Sequence, residues 1–190
     1  MNIFYLSDDP KRAAQEHVDR HVVKMILETA QLLCTTHRFL DGVETPTIKP
    51  TKAGKPKSVK KYVLDNPQLD QLLYSTTHIN HPCTIWARTS INNYMWLYQL
   101  FVALCDEYTF RYGKKHKCDL LFRDVLSHPP INISSGNLTT PAQAMPEKYR
   151  HNNPIVAYRQ YYIAEKAPFA KWSKRTPPAW FSSEVSYANV

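Results

Sequence analysis

Lys24 and Glu28 are the pair in this sequence best suited to chemistry at a carbon centre. An amine that sheds its proton in a desolvated site attacks carbon and forms an imine. A carboxylate one helical turn away can stabilise an oxocarbenium-like sugar or move protons. Together these capacities match cleavage of an N-glycosidic bond followed by strand scission. His17 and His21 precede the pair, and on a helix wound at 100° per residue His17, His21, Lys24, Glu28 and Gln31 fall within roughly 80° of one another. His17 and His21 have the i,i+4 spacing of two metal ligands. The pattern H-E-x-x-H fails, because Val18 stands where its glutamate belongs. No metal and no cofactor is therefore assigned, and the two histidines read as groups that hold a phosphate or shuttle protons. The same stripe also describes a solvated helix edge, on which an i,i+4 Lys/Glu pair is worth about 0.3–0.5 kcal/mol.

The element that must carry this stripe is a long helix predicted from Asp9 to about Leu40. Ser7, Asp8 and Asp9 offer N-caps, Pro10 suits the first turn, and Asp41-Gly42 supplies the stop. Val18, Val22, Met25, Ile26, Thr29 and Leu33 form a wide apolar arc, which Val23, Leu27 and Ala30 extend. A helix apolar over most of its circumference is usually buried, so its polar stripe should face a cleft. Before it, Met1 to Leu6 is a strand or an extended arm packed on the core.

Four glycines and few alternating Val/Ile/Thr runs in 190 residues favour a mainly α, single compact helical domain with long Pro/Lys-rich loops. The formal charge of +8 suggests an anionic partner, most often nucleic acid, and double-stranded DNA is the partner expected. Cys34, Cys83, Cys105 and Cys118 show no C-x-x-C and read as reduced cysteines of a protein in the host-cell cytoplasm. No signal-peptide pattern precedes the first helix, and the longest apolar run, Leu100 to Cys105, is too short to span a membrane.

Residues 43–61 hold Pro46, Pro50, Pro56 and Gly54, with six lysines between Lys49 and Lys61, and predict a mobile basic loop able to follow a phosphate backbone. A short helix is predicted over Pro67 to Ser75. His78 and His81 precede Pro82 on a turn, and can complete a site with the first helix only through the fold. A second long helix starts after Thr89 or Ser90 and ends near Gly113, with Tyr94, Leu97, Phe101, Leu104 and Tyr108 as its core stripe. Asp119 to Ser127 suggests a short helix, 128–146 a long irregular loop, and Asn153-Pro154 the start of a last helix closed by Pro168. Arg88, Asn93 and Trp96 are candidates to line the approach to the site. Lys114, Lys115 and Lys117 can hold phosphates or offset the helix dipole. In the aromatic and basic tail, 168–190, Trp172, Lys174 and Arg175 can stack on bases and grip phosphates, or pack onto the core.

The segments DRHVVKMILETAQLLCTTH, HINHPCTIWAR and NNYMWLYQLFVALCDEYTFRYGKKHK resemble a phage-borne protein family whose activity is obscure, over most of the chain. The layout also resembles the small all-helical pyrimidine-dimer DNA glycosylases of phages. It shares with them the N-terminal arm, an acid inside the first helix, a central aromatic helix and a basic Trp-containing C-terminus, here RTPPAW. That resemblance implies an attacking N-terminal α-amine and a catalytic glutamate, to which Glu28 corresponds by placement. The chain departs at its start, where the bulky Asn2 implies that Met1 is kept; Lys24 is then the substitute nucleophile. The function expected is glycosylase/lyase-like removal or processing of damaged or modified bases. The alternatives are a DNA-base or nucleotide modification enzyme, with or without a metal, and a non-enzymatic phage DNA-binding or host-takeover protein. No P-loop, G-x-G-x-x-G or G-x-S-x-G occurs.

Overall fold

A computed structural model describes residues 1–50 and 56–181, with the backbone alone at 49, 50, 56, 57 and 59. In chain order the elements are α1 (Pro10–Glu16), α2 (Asp19–Asp41), β1 (Val43–Pro50), β2 (Pro56–Val63), α3 (Pro67–Leu72), α4 (Pro82–Thr89), α5 (Ile91–Tyr112), α6 (Lys117–Phe122) and α7 (Pro154–Lys166). The fold is mainly helical, as the composition implies.

Helices α2 and α5 form its axis and run antiparallel. Arg111 near the end of α5 bonds Asp19 at the start of α2 at 2.8 Å, and His37 near the end of α2 bonds Tyr94 near the start of α5 at 2.8 Å. The predicted stripe of α5, Tyr94 through Tyr108, is buried between them. Ser90 caps α5 by accepting the Asn93 N–H, and Gly113 closes it in the left-handed conformation that glycine adopts without strain. All four cysteines are free and buried. No helix among the described residues is long and apolar enough to cross a membrane.

The single helix predicted from Asp9 to Leu40 is two helices. His17 is extended (φ −67, ψ 136), and the chain turns there before α2 begins. Tertiary donors take the carbonyls that a continuous helix would use. Arg111 donates to the Gln15 and His17 carbonyls, and the Trp172 indole donates to that of Glu16. Asp19 accepts from Ser173 and Arg111, so the α2 start is held by residues far along the chain. The apolar arc of α2 is buried, but Val23 and Leu27, expected to extend it, are exposed at 41% and 39%.

The mobile loop expected over 43–61 is instead an antiparallel ribbon, in register from Val43 opposite Val63 to Pro50 opposite Pro56; residues 51–55 lie outside the described set. Each strand of a two-stranded ribbon is an edge, where Pro46 is tolerated. Arg38 roots the ribbon. The residue is 3% exposed, and its guanidinium donates to the carbonyls of Tyr62, Asp70, Leu73 and Tyr74 and to the Asp70 carboxylate. Gly42 is required at the bend, because a Cβ there would lie 2.4 Å from the Arg38 carbonyl.

The N-terminal residues form no strand. They are a buried extended arm, pinned by the Asn2 side chain, which accepts the Ile3 and Phe4 N–H groups and donates to the Ala144 carbonyl. The helix expected at Asp119 to Ser127 is α6 followed by a 3₁₀ turn at Val125–Ser127. Residues 128–146 are irregular yet fastened, with Thr139 bonded to Asn93 and Trp86, and Ala142 to Tyr158. The tail packs its rings inward at Trp172 and Phe181; residues 182–190 lie outside the described set.

Removing one partner of a buried charged network costs about 3–5 kcal/mol. Arg38→Ala should lose that much in urea denaturation, and amide exchange should rise most across 43–63. A loss under about 1 kcal/mol would show that the ribbon is rooted elsewhere.

Candidate active site

Glu28 is 9% exposed and sits where the N-terminal arm crosses α2. Its Oε2 accepts the Asn2 N–H at 3.0 Å and lies 3.9 Å from the Met1 α-amine, while Lys24 Nζ approaches Oε1 at 3.1 Å. One carboxylate thus meets two amines and a backbone donor. The arm brings the amine there because Ile3, Tyr5 and Leu6 are fully or almost fully buried and Asn2 fixes the first turn of chain.

His81 connects this cluster to a hollow of about 570 Å³ lined by Ser58, Lys60, Thr76, His78, Ile79, Asn80 and His81. Its ring is drawn below the usual histidine range by burial, then by the positive Met1 amine and by His78, with Glu28 opposing them. As N-cap of α4, its Nδ1 accepts the Cys83 N–H at 3.2 Å, so the neutral ring carries its proton on Nε2. The His78 ring stands perpendicular to it at 6.4 Å. Ser58 and Lys60 come from β2, so the ribbon forms one wall of the hollow.

The other stripe residues are not in the hollow. His17 is fully buried, with Nδ1 bonded to the Ala13 carbonyl at 2.6 Å and Nε2 without a hydrogen-bond partner. His21 stacks on Phe4 at 4.4 Å and bonds the Tyr162 hydroxyl. Burial lowers His17 to about 4 and His21 to about 3, the latter with help from nearby cations, so both are neutral at pH 7. Neither is placed to hold a phosphate. Among the described residues no three His, Cys, Asp or Glu side chains converge as a metal site would require. Lys24, read as a desolvated nucleophile, has a side chain 67% exposed and is therefore not desolvated.

The expected nucleic-acid residues are scattered. Asn93 is fully buried and braces Trp86 and Thr139, and the Trp96 indole donates to the Asp8 carbonyl. Arg88 donates to the Ile79 carbonyl at 2.6 Å, behind the hollow wall, and lies over the Phe39 ring. Trp172 is buried, Lys174 bonds the Phe110 carbonyl, and Arg175 pairs with Glu107 at 2.8 Å. Lys114, Lys115 and Lys117 are exposed where α5 gives way to α6. A second hollow of about 550 Å³ lies between α1 and α5; of its three acids Asp9 caps α1, Asp106 is paired with Arg123, and Glu107 with Arg111 and Arg175.

Sequence reasoning left Asn2, Ser58 and Lys60 out of the site, and tied His78 and His81 to it only through the fold. The motif HINHP carried a signal, since a histidine before a helix-starting proline is placed to cap. Comparison with protein-family models, curated proteins and solved structures gives no match.

Among the described residues four acidic side chains are buried, and they divide by partner. Glu16 is held by Arg12 and Arg159, Glu107 by Arg111 and Arg175, and Asp119 by Arg123. Glu28 is held by amines. A guanidinium stays protonated throughout the working range, whereas an amine can give up its proton and attack.

The buried histidines set a pH limit on the fold. His37, lowered to about 4 by burial, joins His17 and His21. Below their ordinary value near 6.5 the unfolded chain binds protons that the folded chain refuses. Stability should be level above about pH 6.5 and fall toward pH 4 by about 1.4 kcal/mol per pH unit for each histidine. His37→Phe should make the fall about one-third shallower in urea titrations from pH 7.5 to 4.5; an unchanged slope would place the proton uptake elsewhere.

Proposed function

We propose that the chain is a DNA-acting base-excision enzyme of the glycosylase/lyase kind, working on damaged or modified bases in double-stranded DNA. The observation that carries this reading is the buried carboxylate of Glu28 held by amines, where the other buried acids are held by arginines. The adjoining hollow, with two histidines and a lysine-bearing wall, supports it as a place for an extruded nucleotide.

In this mechanism the Met1 amine, once deprotonated, forms a bond to C1′ as the bond from C1′ to the base breaks. The departing base takes the electron pair and a proton. Glu28 stabilises the positive charge that develops on the sugar. Ring opening, with proton loss from nitrogen and proton gain by the ring oxygen, leaves an imine. Removal of a C2′ proton then expels the 3′ phosphate, and water releases the amine. His81, a lining residue of the hollow with its proton on Nε2, would hydrogen-bond the leaving base, which takes its proton from water. Lys24 screens Glu28 from solvent and is not the nucleophile.

Borohydride trapping on a duplex with an abasic site tests this reading, because that sugar exposes the C1′ aldehyde. A covalent adduct at residue 1, defined by intact mass and peptide mapping, is expected. Glu28→Gln should slow its formation by about 10²–10⁴-fold, Lys24→Ala should change it by less than about 10-fold, and reductive methylation of the terminal amine should abolish it. An adduct on Lys24 would reassign the nucleophile. No adduct on abasic or base-damaged duplexes would refute the lyase.

A further inference from the structure

The ribbon that walls the hollow has a second face. The register pairs Lys49 with Lys57, Thr47 with Val59 and Thr45 with Lys61, so period-two alternation puts these six residues on one face. The opposite face takes Glu44, Pro46, Ile48, Ser58, Lys60 and Tyr62. There the charge is balanced, since Lys60 pairs with Glu44 at 2.9 Å and the Tyr62 hydroxyl donates to the same carboxylate. The first face carries three lysine positions and no acid. Asp70, whose carboxyl senses Lys61, is already engaged by the Leu64 N–H and by Arg38.

The ribbon is built to hold its position. Its root is clasped by Arg38, Tyr62 is buried against the body, and eight residues per strand give an arm of about 27 Å. Lys57 and Lys61 lie about 13 Å apart along one strand, a span that several consecutive phosphates cover.

We propose that this acid-free, lysine-bearing face of the β1–β2 ribbon binds the phosphate backbone of duplex DNA on the side of the ribbon away from the hollow, with Lys49, Lys57 and Lys61 each displacing a counterion. The proposal rests on the reading that duplex DNA is the partner, and it assigns the contact to a surface distinct from the chemistry at Glu28.

The test is fluorescence anisotropy of the full chain with a labelled duplex of about 20 base pairs at about 50–200 mM KCl. Each phosphate contact contributes about 0.9 to the slope of log affinity against log salt on duplex DNA. The triple variant Lys49→Ala, Lys57→Ala, Lys61→Ala should be shallower than the parent by about 2.7. The charge-keeping triple arginine variant should retain the parental slope, which separates loss of charge from damage to the ribbon. An alanine variant with the parental slope overturns the proposal, as does a parent that binds only single strands or no DNA. Borohydride trapping on the same duplex separates the two readings. A changed slope with no adduct from the parent retires base excision and leaves the ribbon standing. Adducts with an unchanged slope retire the ribbon alone.

Discussion

A helix enclosed on all sides but one cannot leave its buried polar side chains unpartnered, and α2, open only along Arg20, Val23, Lys24 and Leu27, is such a helix. Asp19 is answered by Arg111 and Ser173, His21 by Tyr162, Glu28 by the N-terminal arm, Thr35 by Thr77, His37 by Tyr94 and Arg38 by the ribbon root. The partners come from α5, the tail, α7, the chain start, the 77–81 turn and β2. An unmet buried polar group costs about 1–3 kcal/mol, so each of these segments is fixed by an obligation arising on α2. The irregular stretches are therefore as well placed as the helices.

That constraint explains the conformation of the chain start. Phe4 adopts φ 42, a region that costs a non-glycine residue about 1–3 kcal/mol. In return its ring enters the His21, Tyr161 and Tyr162 cluster, and Asn2 reaches Glu28 and Ala144. The balance of charge at Glu28 follows. Asp19 and Glu107 are pushed up by burial but held lower overall, by Ser173 and Arg111 and by Arg175 and Arg111 respectively. Those clamps join α1, α2, α5 and the tail, and they use up carboxylates that would otherwise face solvent. Among the described residues Glu28 is paired with no guanidinium, only with donors that belong to an exposed lysine and the chain start.

Much of this was legible from the residues. The wide apolar arc of α2, the Ser90 and Gly113 boundaries of α5 and the Pro154 start of α7 follow from periodicity and capping, which are local. Periodicity failed at His17, because the chain breaks there to suit Arg111 and Trp172, residues about 90 and 150 positions away. It failed again over 43–61, where proline and lysine content outweighed the strand-forming Thr45, Thr47, Ile48, Val59, Tyr62 and Val63. Glu28 was identified from its type and spacing, but its partner was not. That a first residue meets a helix twenty-odd positions on is a fact of packing with no local sign. The cations of the tail read equally as phosphate ligands and as structural clasps, and the buried Glu107 decides for the clasp at Arg175.

The division between the two kinds of cation leads to the last step. Arginine has a rigid, permanently charged fork suited to permanent pairs, and this fold spends it on Glu16, Asp19, Asp70, Glu107 and Asp119. Most of the lysines stay on the surface, and the described ribbon concentrates them where its register leaves no acid opposite. The net charge of +8 is therefore not spread evenly over the molecule. Structural arginines cancel the interior acids, and the surplus is displayed by flexible amines. An anionic polymer approaching that surplus meets the ribbon, and the ribbon's other face already borders the hollow beside Glu28. On the readings proposed above, attraction and chemistry would occupy opposite faces of the same two strands.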